Sequence, residues 1–344
     1  MTEKGSVDQL DVQLLADYLT QHVAGFEGPV TATKFAGGQS NPTFKLITAN
    51  QSYVLRRQPP GKLLKSAHAV DREYKVLAAL ENSTVPVAKV YHLCEDTSLI
   101  GSMFYIMEYV EGRVFWDSAL PEILDNKIRS QMYQEMVEVL AALHSVDIEK
   151  VGLSDYGKPG NYYERQFSRW SKQYKLSETQ DIPEMDQLIA WLEKHLPEDD
   201  DKISLVHGDY RMDNLMFHPT EPKILAVLDW ELSTLGHPYA DLAYQCMQLR
   251  LPENVGKATG LGGIERAPLG IPEEQEYVDA YCKLVGIEKI DNWNFYLAFS
   301  FFRLGAIAQG VAKRAEDGNA SNKEAQAVGA IVKPLAQYAL KLTQ

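Results

Sequence analysis

Apolar residues follow two rhythms along this chain. From Asp8 to Val23 they fall at Leu10, Leu14, Leu15, Tyr18, Leu19 and Val23, the period of a helix, which Gly25 and Gly28 end. Val30–Phe35, Thr43–Thr48 and Tyr53–Arg57 then read as strands. The turns between them are Gly37-Gly38-Gln39-Ser40-Asn41-Pro42 and Ala49-Asn50-Gln51, which predicts an antiparallel meander. Pro59-Pro60-Gly61 breaks the chain. Ala67–Leu80 reads as a helix with Val70, Tyr74, Leu77 and Leu80 on its apolar side, and Val85–Leu93 and Met103–Tyr109 as two further strands. Past Gly112 the pattern turns helical, over 128–144, 167–174, 185–196, 239–251, 273–285, 293–315 and 322–342. Short apolar runs at Leu205-Val206 and Ile224–Leu228 read as strands. The expectation is an α+β chain: an antiparallel sheet lobe over residues 1–110 and a larger helical lobe over 111–344.

Composition narrows the function classes. With 344 residues, 45% hydrophobic content and a mean hydropathy of -0.27, the chain is globular rather than disordered. The net charge of -13 argues against broad nucleic-acid binding and against docking on anionic membranes. No apolar run reaches the roughly 18 residues of a membrane span. The polar start, Met1 to Asp11, lacks the apolar core of a signal peptide. Cys94, Cys246 and Cys282 are scattered without metal-ligand spacing, which fits a reduced, cytoplasmic setting. No obligate protein partner is indicated.

The chemistry concentrates in Val206-His207-Gly208-Asp209-Tyr210-Arg211-Met212-Asp213-Asn214-Leu215 and in the apolar run ending at Asp229. Phosphoryl transfer requires a carboxylate to orient and deprotonate a hydroxyl, and oxygen ligands to hold magnesium against the phosphates. Asp209 suits the first role, Asn214 and Asp229 the second. His207 reads as a brace for the loop, Asp241 as a brace for loop and helix, and Asp213 as a partner of Arg211 or of the substrate. On the sheet side, Gly37, Gly38, Ser40 and Asn41 occupy a turn suited to covering nucleotide phosphates, though two glycines equally make an ordinary hairpin. Arg56 is the cation that such a lobe supplies to the phosphates, and Glu73 the helix carboxylate that would lock it. Alternatively, both side chains are simply solvated. Met107-Glu108-Tyr109-Val110 leads into Gly112 as a hinge, with backbone groups of Glu108 and Val110 facing an adenine edge and Met107 lining the pocket. Gly256–Gly270, with five glycines, reads as a lid or as a plain surface loop.

These segments resemble the aminoglycoside phosphotransferase and choline kinase superfamily, the small-molecule branch of the protein-kinase-like fold. The resemblance runs from Phe35-Ala36-Gly37-Gly38 to the C-terminal helices and rests chiefly on His207-Gly208-Asp209 and Leu228-Asp229-Trp230. Val54-Leu55-Arg56-Arg57, Trp230-Glu231-Leu232-Ser233-Thr234-Leu235-Gly236 and Phe302-Arg303 are most similar to the kinase-like domain fused to animal acyl-CoA dehydrogenases and its free-standing bacterial relatives. The resemblance implies a bilobal fold, ATP and Mg2+ as cofactors, and phosphorylation of the hydroxyl of a hydroxyacyl-CoA thioester. Arginine stands where the family's usual lysine contacts the nucleotide. Trp230-Glu231 replaces the Phe-Gly of protein kinases and no long activation segment follows, which argues against protein substrates. Two other classes remain open: a kinase for a cationic alcohol such as an aminoglycoside or choline, which the acidic balance would suit, and a non-catalytic nucleotide sensor. A CoA thioester calls for basic residues at the pocket mouth, with Arg303, Lys313 and Arg314 as candidates.

Overall fold

The alternating segments build one antiparallel sheet of five strands, β1 (Thr31–Lys34), β2 (Thr43–Ile47), β3 (Ser52–Arg57), β4 (Val90–Cys94) and β5 (Phe104–Glu108), in the order β1-β2-β3-β5-β4. The computed structural model describes residues 10–35, 41–59, 68–252, 260–317 and 328–344. The period of two decides what each face of β3 does. Tyr53 and Leu55 are buried with Phe44, Leu46, Phe104 and Ile106 under helix α1 (Val12–His22). Val54 and Arg56 point the other way, toward helix α2 (Val70–Leu80) and the rest of the molecule. On α2, Val70, Val76, Leu77 and Leu80 are buried in the larger core, each worth about 1.5–3 kcal/mol relative to exposure. The same helix is tied down further on: Arg72 donates to the Tyr156 carbonyl (2.8 Å), and the Tyr156 hydroxyl donates to the Arg72 carbonyl (3.2 Å).

The helical lobe comprises α3 (Asn126–His144), α4 (Tyr162–Leu176), α5 (Pro183–Lys194), α6 (Tyr239–Arg250), α7 (Glu274–Val285), α8 (Trp293–Glu316) and α9 (Val332–Lys341). Helix α8 is its spine, packed by α4, α5, α6 and α9. At 24 residues it is long and apolar enough to cross a membrane by length and composition, which the sequence reading did not flag; 72% of its apolar window lies buried inside this fold. Two small ribbons sit between the sheet and the helices. In one, β6 (Ser204–Val206) pairs with β9 (Thr234–Gly236); in the other, β7 (Leu215–Phe217) pairs with β8 (Ile224–Val227).

Some boundaries moved. The strand expected over 85–93 begins only at Val90, because Val85–Lys89 runs extended beside other partners: Pro86 accepts from Val227 and Lys89 from Glu108. Helix α4 starts at Tyr162, five residues before the periodicity shows it. Strands β7 and β9 are three residues each, too short for a period to register. The described part of the glycine-rich segment is no free lid. Leu261 donates to the Leu249 carbonyl and Gly262 to that of Leu251, both at 2.9 Å, and Leu261 is buried. Residues 253–259 lie outside the described residues.

Candidate active site

Strand β6 delivers the chain into the loop at His207, and a buried carboxylate on α6 holds that loop. Asp241 accepts from the backbone N–H of His207 (2.6 Å) and of Gly208 (2.7 Å), and lies 3.3 Å from His144 Nε2. Burial pushes the Asp241 carboxyl up, but His144 and the backbone donors outweigh it and hold it below the usual range. The Tyr281 hydroxyl is hydrogen-bonded with His144 Nδ1 at 2.7 Å and so orients this ring. Gly208 has φ +86°, and a Cβ there would sit 2.7 Å from the Leu232 carbonyl oxygen, so the turn admits glycine alone. His207 is fully buried. Its Nδ1 accepts from the Asp209 N–H (3.2 Å), which leaves Nε2 to donate to the Leu228 carbonyl (2.8 Å). The imidazole therefore joins the loop to the end of β8, as a brace.

Asn214 closes the loop. Its Nδ2 donates to the Asp209 carbonyl (2.8 Å) and to Asp209 Oδ2 (2.9 Å). With the nitrogen so engaged, its Oδ1 faces away from Asp209. The Leu228 N–H donates to the Asn214 carbonyl at 2.8 Å, which brings Asp229 alongside. Asp229 occupies the left-handed region (φ 62°), a conformation that Asp tolerates and that clusters at functional turns. Its carboxylate is 39% exposed and stays open to solvent. Arg211 lies 3.3 Å from Asp209 and 3.0 Å from Asp213; of the two partners expected for Asp213, the arginine is the one seen.

From the sheet side, Arg56 reaches across. It meets Glu73 at 2.7 Å and Asp229 at 2.8 Å. Glu73 is 2% exposed rather than solvated, and receives further donors from Asn41 (2.8 Å) and Tyr105 (3.1 Å). Burial opposes the Arg56 charge, yet Glu73, Tyr105 and Asp229 together hold the guanidinium well above its ordinary pKa. Asn41, expected to face a nucleotide, commits its amide to Glu73 and to His68 (3.1 Å). Gly37, Gly38 and Ser40 lie outside the described residues.

The hinge expectation needs one correction. The Glu108 N–H is not free, since it donates to the Lys89 carbonyl at 2.8 Å as β5 runs out beside that segment. The Gln58 N–H to Met103 carbonyl bond fixes the alternation of the β3–β5 ladder, and that phase puts Glu108 at a position bonded by neither group to β3. Its carbonyl therefore remains. Among the described residues the Val110 N–H has no backbone partner. Met107 is half-buried, opposite Val54 on the cleft face. Gly112 passes so close to β7 that a Cβ would lie 2.5 Å from the Phe217 carbonyl oxygen.

Beyond Asp209 the wall is aromatic and cationic. Burial, and then the Asp209 charge, raise the Tyr244 hydroxyl well above its ordinary pKa. The Arg303 guanidinium lies over the Tyr244 ring (5.4 Å) and the Trp170 ring (5.8 Å). Periodicity could not aim Arg303, and it gave no sign of Tyr244, Trp170 or His144. Lys313, by contrast, is paired with Asp317 (2.8 Å) and lies 3.6 Å from Glu316. Among the described residues no three His, Cys, Asp or Glu side chains converge as a metal cage. Magnesium that keeps its waters and phosphate ligands needs only one or two protein oxygens, and Asn214 Oδ1 with the exposed Asp229 carboxylate fits that demand.

A carboxylate-bearing loop, a neighbouring Asn/Asp pair and a locked cation between a sheet lobe and a helical lobe define a kinase-like phosphotransferase. The chain belongs to the phosphotransferase enzyme family, whose model matches residues 31–276. It is 51% identical to a Ralstonia eutropha JMP134 protein solved as a candidate aminoglycoside phosphotransferase (TM-score 0.89, covering 97% of this chain and 98% of that one). A choline kinase from Cryptosporidium parvum shares the fold at 14% identity (TM-score 0.64, covering 97% and 95%). Among curated relatives, acyl-CoA dehydrogenase family member 11 of Homo sapiens is 45% identical over 98% of this chain, and family member 10 of Mus musculus 48% over 91%. The chain spans only 43% and 29% of those proteins' lengths. It is a small-molecule phosphotransferase acting on a hydroxyl acceptor.

Proposed function

We propose that the protein is an ATP- and Mg2+-dependent kinase, cytoplasmic, that phosphorylates the hydroxyl of a hydroxyacyl-CoA thioester. Asp209 orients the acceptor hydroxyl and takes its proton late in the transfer. Asn214 and Asp229 hold the magnesium, which neutralises charge on the phosphates. Arg56, locked by Glu73, bridges phosphate oxygens. The Glu108 carbonyl and Val110 N–H hold the adenine edge against Met107, at a lobe boundary near residues 110–111. The nucleotide reading draws support from the spectinomycin phosphotransferase solved with ADP, which shares the fold at TM-score 0.64.

The observation that carries the substrate class is Arg303, a cation over the rings of Trp170 and of Tyr244, the tyrosine that meets Asp209. A polycationic aminoglycoside or a choline would meet repulsion there; an anionic acceptor would not. The test is a magnesium-dependent phosphorylation assay with hydroxyacyl-CoAs, aminoglycosides and choline, on wild type and Asp209→Asn. Turnover of a hydroxyacyl-CoA that falls by about 10²–10⁴ in the variant is expected, the usual worth of a positioned acid or base. Equal turnover by both proteins with every alcohol removes the catalytic assignment, and preference for the cationic alcohols removes the thioester.

A further inference from the structure

Helix α4 carries a second feature that this chemistry does not use. Its inner face buries Tyr163, Phe167, Trp170 and Tyr174. Its outer face presents Arg165, Arg169 and Lys172 at i, i+4 and i+7, one stripe of like charge. Like charges at that spacing repel, so the stripe costs stability when nothing covers it. The stripe and the preceding loop line an open groove of about 540 Å3, together with Lys158 and a single acid, Glu164. Arg165 donates to the Lys158 carbonyl (2.6 Å) and the Pro159 carbonyl (3.3 Å), which ties the loop to the helix and keeps Lys158 at the rim. Among the described residues none of the four cations forms an ion pair, in a chain of net charge -13 with acids to spare. A series of contacts runs from the groove's Arg169 to the catalytic loop: Arg169 and Arg303 both lie over the Trp170 ring (5.2 and 5.8 Å), Arg303 lies over the Tyr244 ring (5.4 Å), and Tyr244 meets Asp209.

We propose that this groove on α4 binds the phosphate groups at the far end of the acceptor, the nucleotide portion of its thioester carrier, while the acyl hydroxyl lies at Asp209. The inference rests on the thioester reading above and names the residues that recognise the carrier: Arg169, Lys172 and Lys158, with Arg165 positioning the loop. Mobile cations on a solvated rim suit multiply charged phosphates, which they neutralise without demanding one fixed geometry.

The test compares two acceptors carrying the same hydroxyacyl group, one on full coenzyme A and one on pantetheine, which lacks the nucleotide phosphates. In the full-length wild-type protein the KM for the pantetheine thioester is expected to exceed that for the CoA thioester by about tenfold or more, and the difference to shrink as salt rises. In Arg169→Ala/Lys172→Ala the ratio of the two KM values falls toward one. Both side chains are exposed, with no acidic partner among the described residues, and Arg169→Lys/Lys172→Arg, which keeps the charges, is expected to keep the ratio. Equal KM values in wild type, or an unchanged ratio in the alanine variant, overturn the groove assignment and leave the kinase reading standing. No turnover of either thioester overturns both.

Discussion

Asp241 offers the sharpest test of how this site is built, because it touches no reactant in our reading and yet holds the loop that carries Asp209. Its carboxylate is fully buried and accepts from two backbone N–H groups, His207 and Gly208, at 2.6 and 2.7 Å. Asp241→Ala leaves both donors buried and unpaired. Each such group costs about 1–3 kcal/mol, so the variant should lose about 2–6 kcal/mol, a large part of a typical domain's total stability. Asp241→Asn keeps one acceptor oxygen and turns an NH2 toward the other donor, so its loss should be about half as large. A loop displaced by an ångström also misplaces Asp209, and kcat should fall by about 10² in either variant. Urea unfolding followed by circular dichroism measures the first effect and single-turnover phosphorylation the second. Asp209→Asn supplies the contrast: its carboxylate is partly exposed, so activity should fall with stability held within about 1 kcal/mol of wild type. If Asp241→Asn unfolds at the wild-type urea concentration, the cradle does not hold the loop and the reasoning fails.

Two other perturbations follow from the same geometry. Glu73→Ala leaves Arg56 largely buried with Asp229 as its one remaining acidic partner, and should cost about 3 kcal/mol in denaturation while raising the KM for ATP; Glu73→Gln, which preserves the shape and one of the two acceptor oxygens, should cost less. An ATP KM unchanged in Glu73→Ala would detach Arg56 from the phosphates. Burial pushes His237 down to about 4 despite Asp200 at 3.1 Å. A depressed folded-state value means that the unfolded chain binds the proton first. The native state is therefore favoured above pH 6.5, and stability on the order of 3 kcal/mol drains away as pH falls from about 6.5 to about 4, with no further change from this group below that. Urea midpoints across that window should fall in wild type and flatten in His237→Gln; parallel curves for the two proteins would assign the acid sensitivity elsewhere.

Period and turn chemistry were enough to divide the chain into a sheet lobe and a helical lobe, because each element's apolar repeat is local. The spacing from His207 to Asn214 and the apolar run into Asp229 were enough to expect Asp209, Asn214 and Asp229 as neighbours, because a short loop and a short strand leave few ways to arrange them. Arg56 and Val54 sharing a face, and Glu73 lying near the edge of an apolar stripe, were legible for the same reason. The tertiary structure alone decided that Glu73 is buried, that Arg56 spans from Glu73 to Asp229, and that the Glu108 N–H is consumed by Lys89. It alone brought His144 of α3 to Asp241 of α6, laid Arg303 of α8 over Trp170 of α4, and set Tyr244 of α6 against Asp209. These pairings join residues tens to more than a hundred positions apart, and a helical repeat gives each side chain's face without giving its neighbour. The placing of the Arg303 cation over the Trp170 and Tyr244 rings arises from packing between helices rather than from any stretch of sequence.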